Sequence, residues 1–149
     1  MVRVVIGSDH AGFGLKETIK ALLDRMGISY EDVGTVTAAS VDYPDFAEAA
    51  ARAVLDGRAD RGILVCGTGI GMSIAANKIP GIRAALAWSE ATARLGRSHN
   101  DANILALGGR TTPAAEVEGI LRAFLFTGYD GGRHDARLAK IAHLERRDT

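Results

Sequence analysis

The chain has little of several features that mark specialised classes of protein. It has a single cysteine among its 149 residues, so no internal disulfide can form, which is typical of a reducing compartment. Its 18 basic and 18 acidic residues balance, so there is no bulk electrostatic attraction to nucleic acid or to an anionic membrane. The composition therefore predicts neither of these as a partner.

Long apolar runs are lacking as well. The N-terminal stretch MVRVVIGSDH does not contain the extended apolar run of a signal peptide, and no segment approaches the length that spans a membrane. No repeat, low-complexity segment or linker divides the chain. We therefore expect residues 1–149 to form one domain of a soluble, cytoplasmic protein, large enough to bury a core without disulfides or metals.

Short β-branched runs alternate with longer amphipathic stretches that are rich in alanine and leucine. Strands are predicted over residues 3–8, 28–34, 62–66, 82–88 and 103–109. Helices are predicted over residues 13–26, 71–79 and 133–147. Three more are predicted: one from Pro44 to a stop at Gly57, one that begins near Ser89, and one that runs to about Thr127 with Thr112 as its cap and Pro113 as its first residue. Because the strands lack polar alternation and helices separate them, we predict a five-stranded parallel sheet in a Rossmann-like, doubly wound α/β sandwich of three layers.

Ligands bind beyond the carboxyl ends of the strands in folds of this class. Three segments follow predicted strands in that position, namely SDHAG at 8–12, CGTGIG at 66–71 and GGR at 108–110. The single cysteine, Cys66, therefore lies on the predicted functional edge of the sheet, where a glycine-rich turn begins.

This glycine-rich turn does not match the common phosphate-binding motifs. Met72 stands where a G-x-G-x-x-G fingerprint needs its third glycine, and no G-K-[ST] follows as in a Walker loop. Met72 also replaces the arginine that low-molecular-weight tyrosine phosphatases carry six residues after their cysteine. Cys66 itself stands where a receiver domain has its phosphoacceptor aspartate. None of these four classes fits the turn.

The turn still has a definite chemical capacity. Backbone N–H groups of alternating glycines at a helix N-terminus can converge on an oxygen anion, and the helix dipole there favours negative charge and a thiolate. A base beside such a cradle suits proton abstraction next to a carbonyl, with the amides stabilising the enediolate. The alternative interpretation is that Cys66 fills the core and the glycines allow tight packing of strand against helix.

Five blocks of sequence carry a resemblance to a known family. They are GSDHAGFGLK at 7–16, DYPDFA at 42–47, CGTGIGMSIAANK at 66–78, SHNDAN at 98–103 and GGRHDARL at 131–138. In this order they resemble the type B ribose-5-phosphate isomerases, which form one family with the galactose-6-phosphate isomerase subunits. The resemblance implies a homodimer, or alternatively a tetramer, with active sites shared between subunits, which interconverts aldose and ketose sugar phosphates without a metal or cofactor.

The same resemblance implies roles for individual residues. Cys66 matches the base that moves a proton between C2 and C1 of the open-chain sugar, and Thr68 matches the hydroxyl that assists exchange between the sugar oxygens. His99 matches the acid that opens the furanose ring. The matching substrate-binding residues are Asp9, His10, Tyr43, Gly67, Gly69, Ile70, Gly71, Asn100, Arg110, Arg133 and Arg137. Relatives that lack the cysteine use a glutamate where this chain has Ala75, so the cysteine subtype fits.

Several of these residues also have structural interpretations. Tyr43 could pack at a helix cap, and His99 could interact with a helix end. Arg133 and Arg137, spaced four apart, could form a solvated helix face. However, a cation at a helix N-terminus opposes the helix dipole, so Arg133 fits better if a phosphate lies between it and the helix end. His134 could orient its neighbours. Around the predicted site we identify no histidine and carboxylate with the sequence spacing of metal ligands.

The resemblance predicts an isomerase that interconverts ribose 5-phosphate and ribulose 5-phosphate. An isomerase of allose or galactose 6-phosphate is the alternative enzyme, and a non-catalytic sugar-phosphate sensor is the alternative from another class.

The last predicted helix follows GYDGG at 128–132, a flexible joint. We therefore expect that helix to pack on a partner subunit.

Overall fold

The computed structural model describes residues 1–146, which form a five-stranded sheet enclosed by helices. The strands are β1 (Val4–Ser8), β2 (Tyr30–Asp32), β3 (Arg61–Cys66), β4 (Ala84–Leu86) and β5 (Ile104–Gly108). The helices are α1 (Phe13–Arg25), α2 (Tyr43–Leu55), α3 (Ile70–Asn77), α4 (Glu90–Asn100), α5 (Ala114–Phe126) and α6 (His134–Leu144). Arg147, where the last predicted helix was expected to end, lies outside the described residues. Of the helices in the described part, none combines the length and apolarity needed to cross a bilayer.

The sheet is parallel throughout, with the strand order β2-β1-β3-β5-β4. This confirms the predicted Rossmann-like, doubly wound α/β fold. The register pairs Ser8 with Val65 and Cys66 with Gly108, so the carboxyl ends of β1, β3 and β5 meet at one edge of the sheet. We call this end of the sheet, where the strands finish, the carboxyl edge.

The two faces of the sheet bury separate apolar clusters. Alternation along β3 sends Ile63 and Val65 to one face, where they pack with α1, α4 and α5. Leu64 and Cys66 point to the other face, where alanine-rich α2 and the short α3 cover them. The small alanine side chains let α2 lie close to the sheet. Cys66 therefore belongs to the core by its packing and to the carboxyl edge by its position.

Several element boundaries differ from the sequence-based expectation, and α6 ends at Leu144, earlier than its predicted end at residue 147. The edge strands β2 and β4 have three residues each, since only that part of each predicted run pairs with a neighbour. Helix α5 begins at Ala114, with Pro113 at the cap position in extended conformation, so the predicted Thr112 cap was one residue too early. The Thr112 hydroxyl instead accepts the Gly108 N–H at 3.3 Å, closing a turn after β5.

A fully buried lysine ties α1 to the segment after β2. Lys16 Nζ donates to both carboxylate oxygens of Asp32, at 3.0 and 2.8 Å, and to the carbonyl of Thr35 at 2.8 Å. Lys20 adds a second ion pair to Asp32 at 2.9 Å. These bonds fix the start of the segment 35–42, which approaches the carboxyl edge.

Candidate active site

The carboxyl edge gathers most of the predicted site residues. The ends of β1, β3 and β5 and the first turns of α2 and α3 supply them, because chain segments that follow parallel strands meet at one edge. They are Asp9, His10, Tyr43, Cys66, Gly67, Thr68, Gly69, Ile70, Gly71 and Arg110.

Cys66 is the last residue of β3 and is 5% exposed. The Gly69 N–H donates to its Sγ at 3.2 Å, and the Ile70 N–H donates to Thr68 Oγ1 at the same distance. Two N–H groups of the predicted anion cradle thus have acceptors within the turn itself. A hydrogen bond to the sulfur stabilises a thiolate more than a thiol, because bonds to ionised groups are the stronger ones.

Gly69 gives the turn its shape. Its φ of 81° lies in the left-handed region, and a Cβ there would come within 2.9 Å of the Leu107 carbonyl carbon. Only glycine accommodates both the dihedral and the close approach of β5. The turn is also bonded to the segment after β5, since Gly109 donates to the Cys66 carbonyl at 2.8 Å and Arg110 to the Gly67 carbonyl at 2.9 Å.

The arginine after β5 reaches over the glycine turn. A Cβ added to Gly67 would lie 3.2 Å from Nη1 of Arg110, so the guanidinium stands beside the turn. Arg110 is exposed, so its charge is open to solvent beside the glycine turn.

Asp9 and His10 follow β1 and are held by backbone donors. The buried Asp9 accepts the Gly12 N–H at 3.0 Å through Oδ1. His10 Nδ1 accepts the Val41 N–H at 3.2 Å. An imidazole that accepts at Nδ1 carries its proton on Nε2 when neutral, so the other ring nitrogen is a donor.

The Tyr43 ring lies against the first turn of α3. A Cβ added to Gly71 would come within 2.6 Å of Tyr43 Cζ, so the ring and the glycine occupy adjoining space. Tyr43 is the first residue of α2 and is 37% exposed, and Ile70, the first residue of α3, is 53% exposed. The tyrosine therefore does more than pack at its own helix end, because it also borders the glycine turn.

Four predicted site residues lie elsewhere in the chain. His99 and Asn100 end α4, which leads into the amino end of β5, and Arg133 and Arg137 belong to the start of α6 beside it. Within one chain, these four residues therefore do not lie near Cys66. Arg137 Nη1 donates to the Arg133 carbonyl at 3.3 Å, and both side chains are exposed.

His99 lies against His134, for which the sequence indicated only that it could orient its neighbours. Its ring stacks on that of His134, with centroids 4.3 Å apart and planes inclined by 22°. The carboxylate of Asp130 completes a group whose ligand atoms all lie within 4.8 Å of one another, which we call the His–Asp cluster. Burial, together with the nearby charges of His99, Arg133 and Arg137, lowers the pKa of His134.

The sequence did not indicate this cluster, and Asp130 is not among the predicted site residues. Asp130 and His134 are spaced four apart as on one helix face, but they do not share a helix, because the chain reverses at Gly131 and Gly132, with φ of 67° and 60°. The four-residue spacing of Asp130 and His134 was the available signal, and it did not indicate His99 as a third member.

Comparison with known proteins gives full-length matches. The model of the ribose/galactose isomerase family matches residues 4–141. Ribose-5-phosphate isomerase B of Escherichia coli strain K12 is 44% identical over 147 residues, which cover 99% of each chain. The structure of ribose-5-phosphate isomerase B from Clostridium thermocellum is similar with a TM-score of 0.97 and 48% identity, covering 99% of each chain. The enzyme from Mycoplasma genitalium with bound ribulose-5-phosphate has a TM-score of 0.91 and 41% identity over 97% of each chain.

Proposed function

The chain belongs to the ribose/galactose isomerase family, and from that premise we propose that it interconverts ribose 5-phosphate and ribulose 5-phosphate. The observation that carries this proposal is the Cys66 sulfur at the carboxyl edge, 3.2 Å from the N–H of Gly69 in a glycine turn. A base beside backbone donors suits a reaction that passes through an enediolate.

In the proposed mechanism the Cys66 thiolate removes the proton from C2 of the open-chain aldose and returns it to C1. The enediolate oxygens bind at the turn 67–71 through N–H groups other than those of Gly69 and Ile70, which already have acceptors, and the positive potential at the start of α3 favours an oxyanion there. The Thr68 hydroxyl assists proton exchange between the two oxygens. The low exposure of the sulfur keeps water from competing for the proton.

The groups after β1 and β5 hold the rest of the substrate. His10, with Nδ1 engaged by Val41, offers Nε2–H as a donor to a sugar oxygen, and Asp9 offers an acceptor. Tyr43 closes one side of the turn. Arg110 binds the phosphate, which is a suitable partner for a guanidinium beside an anion cradle.

We assign His99, Asn100, Arg133 and Arg137 to the site of a second subunit. β5 lies between His99 and the carboxyl edge, and its five residues span about 16 Å at about 3.3 Å each. This span exceeds the reach of an imidazole, so His99 can open a substrate ring beside Cys66 only if it comes from another copy. A two-fold homodimer supplies two such composite sites.

The surface supports association between copies. Ile70 and Ile74 lie one turn apart on α3 and are 53% and 58% exposed, beside the glycine turn. On α6, Ile141 and Leu144 are exposed and border an open cavity of about 650 Å³ that also reaches Asn100. Apolar side chains in such positions are typical of a surface that a partner covers.

A turnover panel tests the substrate. We expect ribose 5-phosphate to be converted with a higher kcat/KM than allose 6-phosphate or galactose 6-phosphate. A preference for either hexose phosphate would replace the pentose assignment with the alternative isomerase. Binding of all three without exchange of substrate hydrogen into solvent would indicate a sensor instead.

A further inference from the structure

We propose that the His–Asp cluster of His99, Asp130 and His134 binds a zinc ion, and that the bound ion inhibits the enzyme by removing His99 from ring opening. Two imidazoles and one carboxylate are a common ligand set for zinc, with a fourth position left for water. The binding part of this proposal stands on the cluster alone. The inhibition part rests on the proposed role of His99.

The three ligands come from separate segments that are bonded to one another. The Asp130 N–H donates to the Ser98 carbonyl at 3.0 Å, which places its carboxylate beside His99 at the end of α4. The His134 N–H donates to the Gly131 carbonyl at 3.2 Å, so the turn that carries Asp130 also sets the start of α6. The group is therefore largely formed before any ion arrives.

The distances suit a zinc ion after small side-chain movements. Zinc bonds to nitrogen and oxygen are about 2.0–2.2 Å long, which puts tetrahedral ligand atoms about 3.3–3.5 Å apart. The three ligand atoms already lie within 4.8 Å of one another. Asp130 is exposed and His99 is half-buried, so both can turn towards a common point while the buried His134 stays in place.

The ligand atoms select the type of ion. Asp130 is the one carboxylate in the cluster, and the positive charge of the nearby Arg133 and Arg137 opposes every divalent cation alike. Mg²⁺ and Ca²⁺ need several oxygen ligands and are disfavoured here. Imidazole nitrogen suits zinc, so the cluster should bind Zn²⁺ and not respond to Mg²⁺ or Ca²⁺.

The first experiment measures Zn²⁺ binding to the full chain by competition with a chromophoric chelator. We expect one ion per chain, and at least about tenfold weaker binding in Asp130→Asn and in His134→Gln, because even outer partners of a metal site are worth about 10- to 100-fold. His143→Gln, which alters an exposed histidine of α6 outside the cluster, should bind as the unmodified chain does. Asp130 is exposed, so its variant tests the ligand without disturbing the core.

Two results of this experiment would overturn the site. One is equal Zn²⁺ affinity in the unmodified chain and in both cluster variants. The other is a loss of binding in Cys66→Ala, which would place the ion on the thiol. Thermal unfolding of each variant without metal checks that the buried His134 position tolerates glutamine.

The second experiment follows activity. Zn²⁺ should slow the isomerisation of ribose 5-phosphate, a chelator should restore it, and Asp130→Asn should be less sensitive. Exchange of substrate hydrogen from ribulose 5-phosphate, which cannot form a furanose ring, should be spared. Zn²⁺ that binds the cluster without slowing ribose 5-phosphate turnover would refute the inhibition, whereas a metal-free chain with no turnover would refute the proposed function and leave the binding result standing.

Discussion

At the scale of single residues, the reactivity of Cys66 depends on two properties of its surroundings. The sulfur is nearly buried, and a backbone N–H points at it from Gly69. The same position therefore combines low exposure to water with a backbone donor beside the sulfur, which suits the proposed proton abstraction from carbon.

The first prediction concerns this sulfur. Cys66→Ala removes the proposed base, and we expect kcat for ribose 5-phosphate to fall by at least about 10²–10⁴-fold, the usual contribution of general base catalysis. Binding of a sugar phosphate and the thermal unfolding midpoint should change little. Turnover within tenfold of the unmodified enzyme would show that another group takes the proton.

His99 should affect a different step. Ribose 5-phosphate is mostly cyclic, so His99→Asn is expected to slow its turnover by about 10²-fold through loss of the ring-opening acid. Ribulose 5-phosphate does not cyclise, and its first deprotonation should keep nearly the original rate. Solvent hydrogen exchange measured from both substrates checks this, and equal losses in the two directions would rule out a pure ring-opening role.

At the scale of helices and strands, the junction of β3 and α3 depends on one left-handed residue. Gly69→Ala would place a Cβ 2.6 Å from Leu86 Cδ1 and 2.9 Å from the backbone of Leu107 at a φ of 81°. We expect a loss of about 1–3 kcal/mol in the free energy of unfolding, measured by urea denaturation. Gly14→Ala is the matched control, since a Cβ there meets nothing within 4 Å, and it should be neutral or up to about 1 kcal/mol more stable. Equal effects of the two substitutions would contradict this account.

The parallel sheet and its helices could be predicted because the spacing of apolar residues and the residue types at helix ends are visible in the local sequence. Ser89, predicted as the start of a helix, does cap α4, where its hydroxyl accepts the Thr92 N–H at 3.1 Å. The lengths of the edge strands and the start of α5 could not be predicted. They depend on which residues find a neighbouring strand and on the turn that Thr112 closes onto Gly108.

The ion pairs between α1 and Asp32 give the fold a dependence on pH. Burial alone would raise the pKa of Asp32, but hydrogen bonds from Lys16 and Lys20 outweigh it and lower that pKa. A carboxyl with a depressed pKa stabilises the fold above its unfolded value of about 3.9, and this contribution is lost as the pH falls through the folded value. Between pH 7 and about pH 3, the free energy of unfolding should therefore fall more for the unmodified chain than for Asp32→Asn. Parallel pH profiles of the two proteins in denaturant titrations would refute this.

At the scale of the whole molecule, the candidate site divides into two parts with different predictability. The groups at the carboxyl edge follow strands, so the fold class alone places Asp9, Cys66 and Arg110 together. Asp130 lies near His99 because the chain reverses at two glycines and because the Asp130 N–H donates to a carbonyl at the end of α4. No local sequence pattern indicates this arrangement. The separation of His99 from Cys66 also follows only once strand order and register are known.

That separation leads to the last prediction, on composite sites. Cys66→Ala and His99→Ala homodimers should each be inactive on ribose 5-phosphate. If they are mixed in equal amounts, dissociated and allowed to re-form, about half of the dimers contain one chain of each kind. In every mixed dimer, the intact Cys66 of one subunit meets the intact His99 of the other at one site, so about one quarter of the original activity should return. Mixing without dissociation is the control and should stay inactive. If each site lay within a single chain, no re-formed dimer would have both groups at one site, and the re-formed mixture would remain inactive as well.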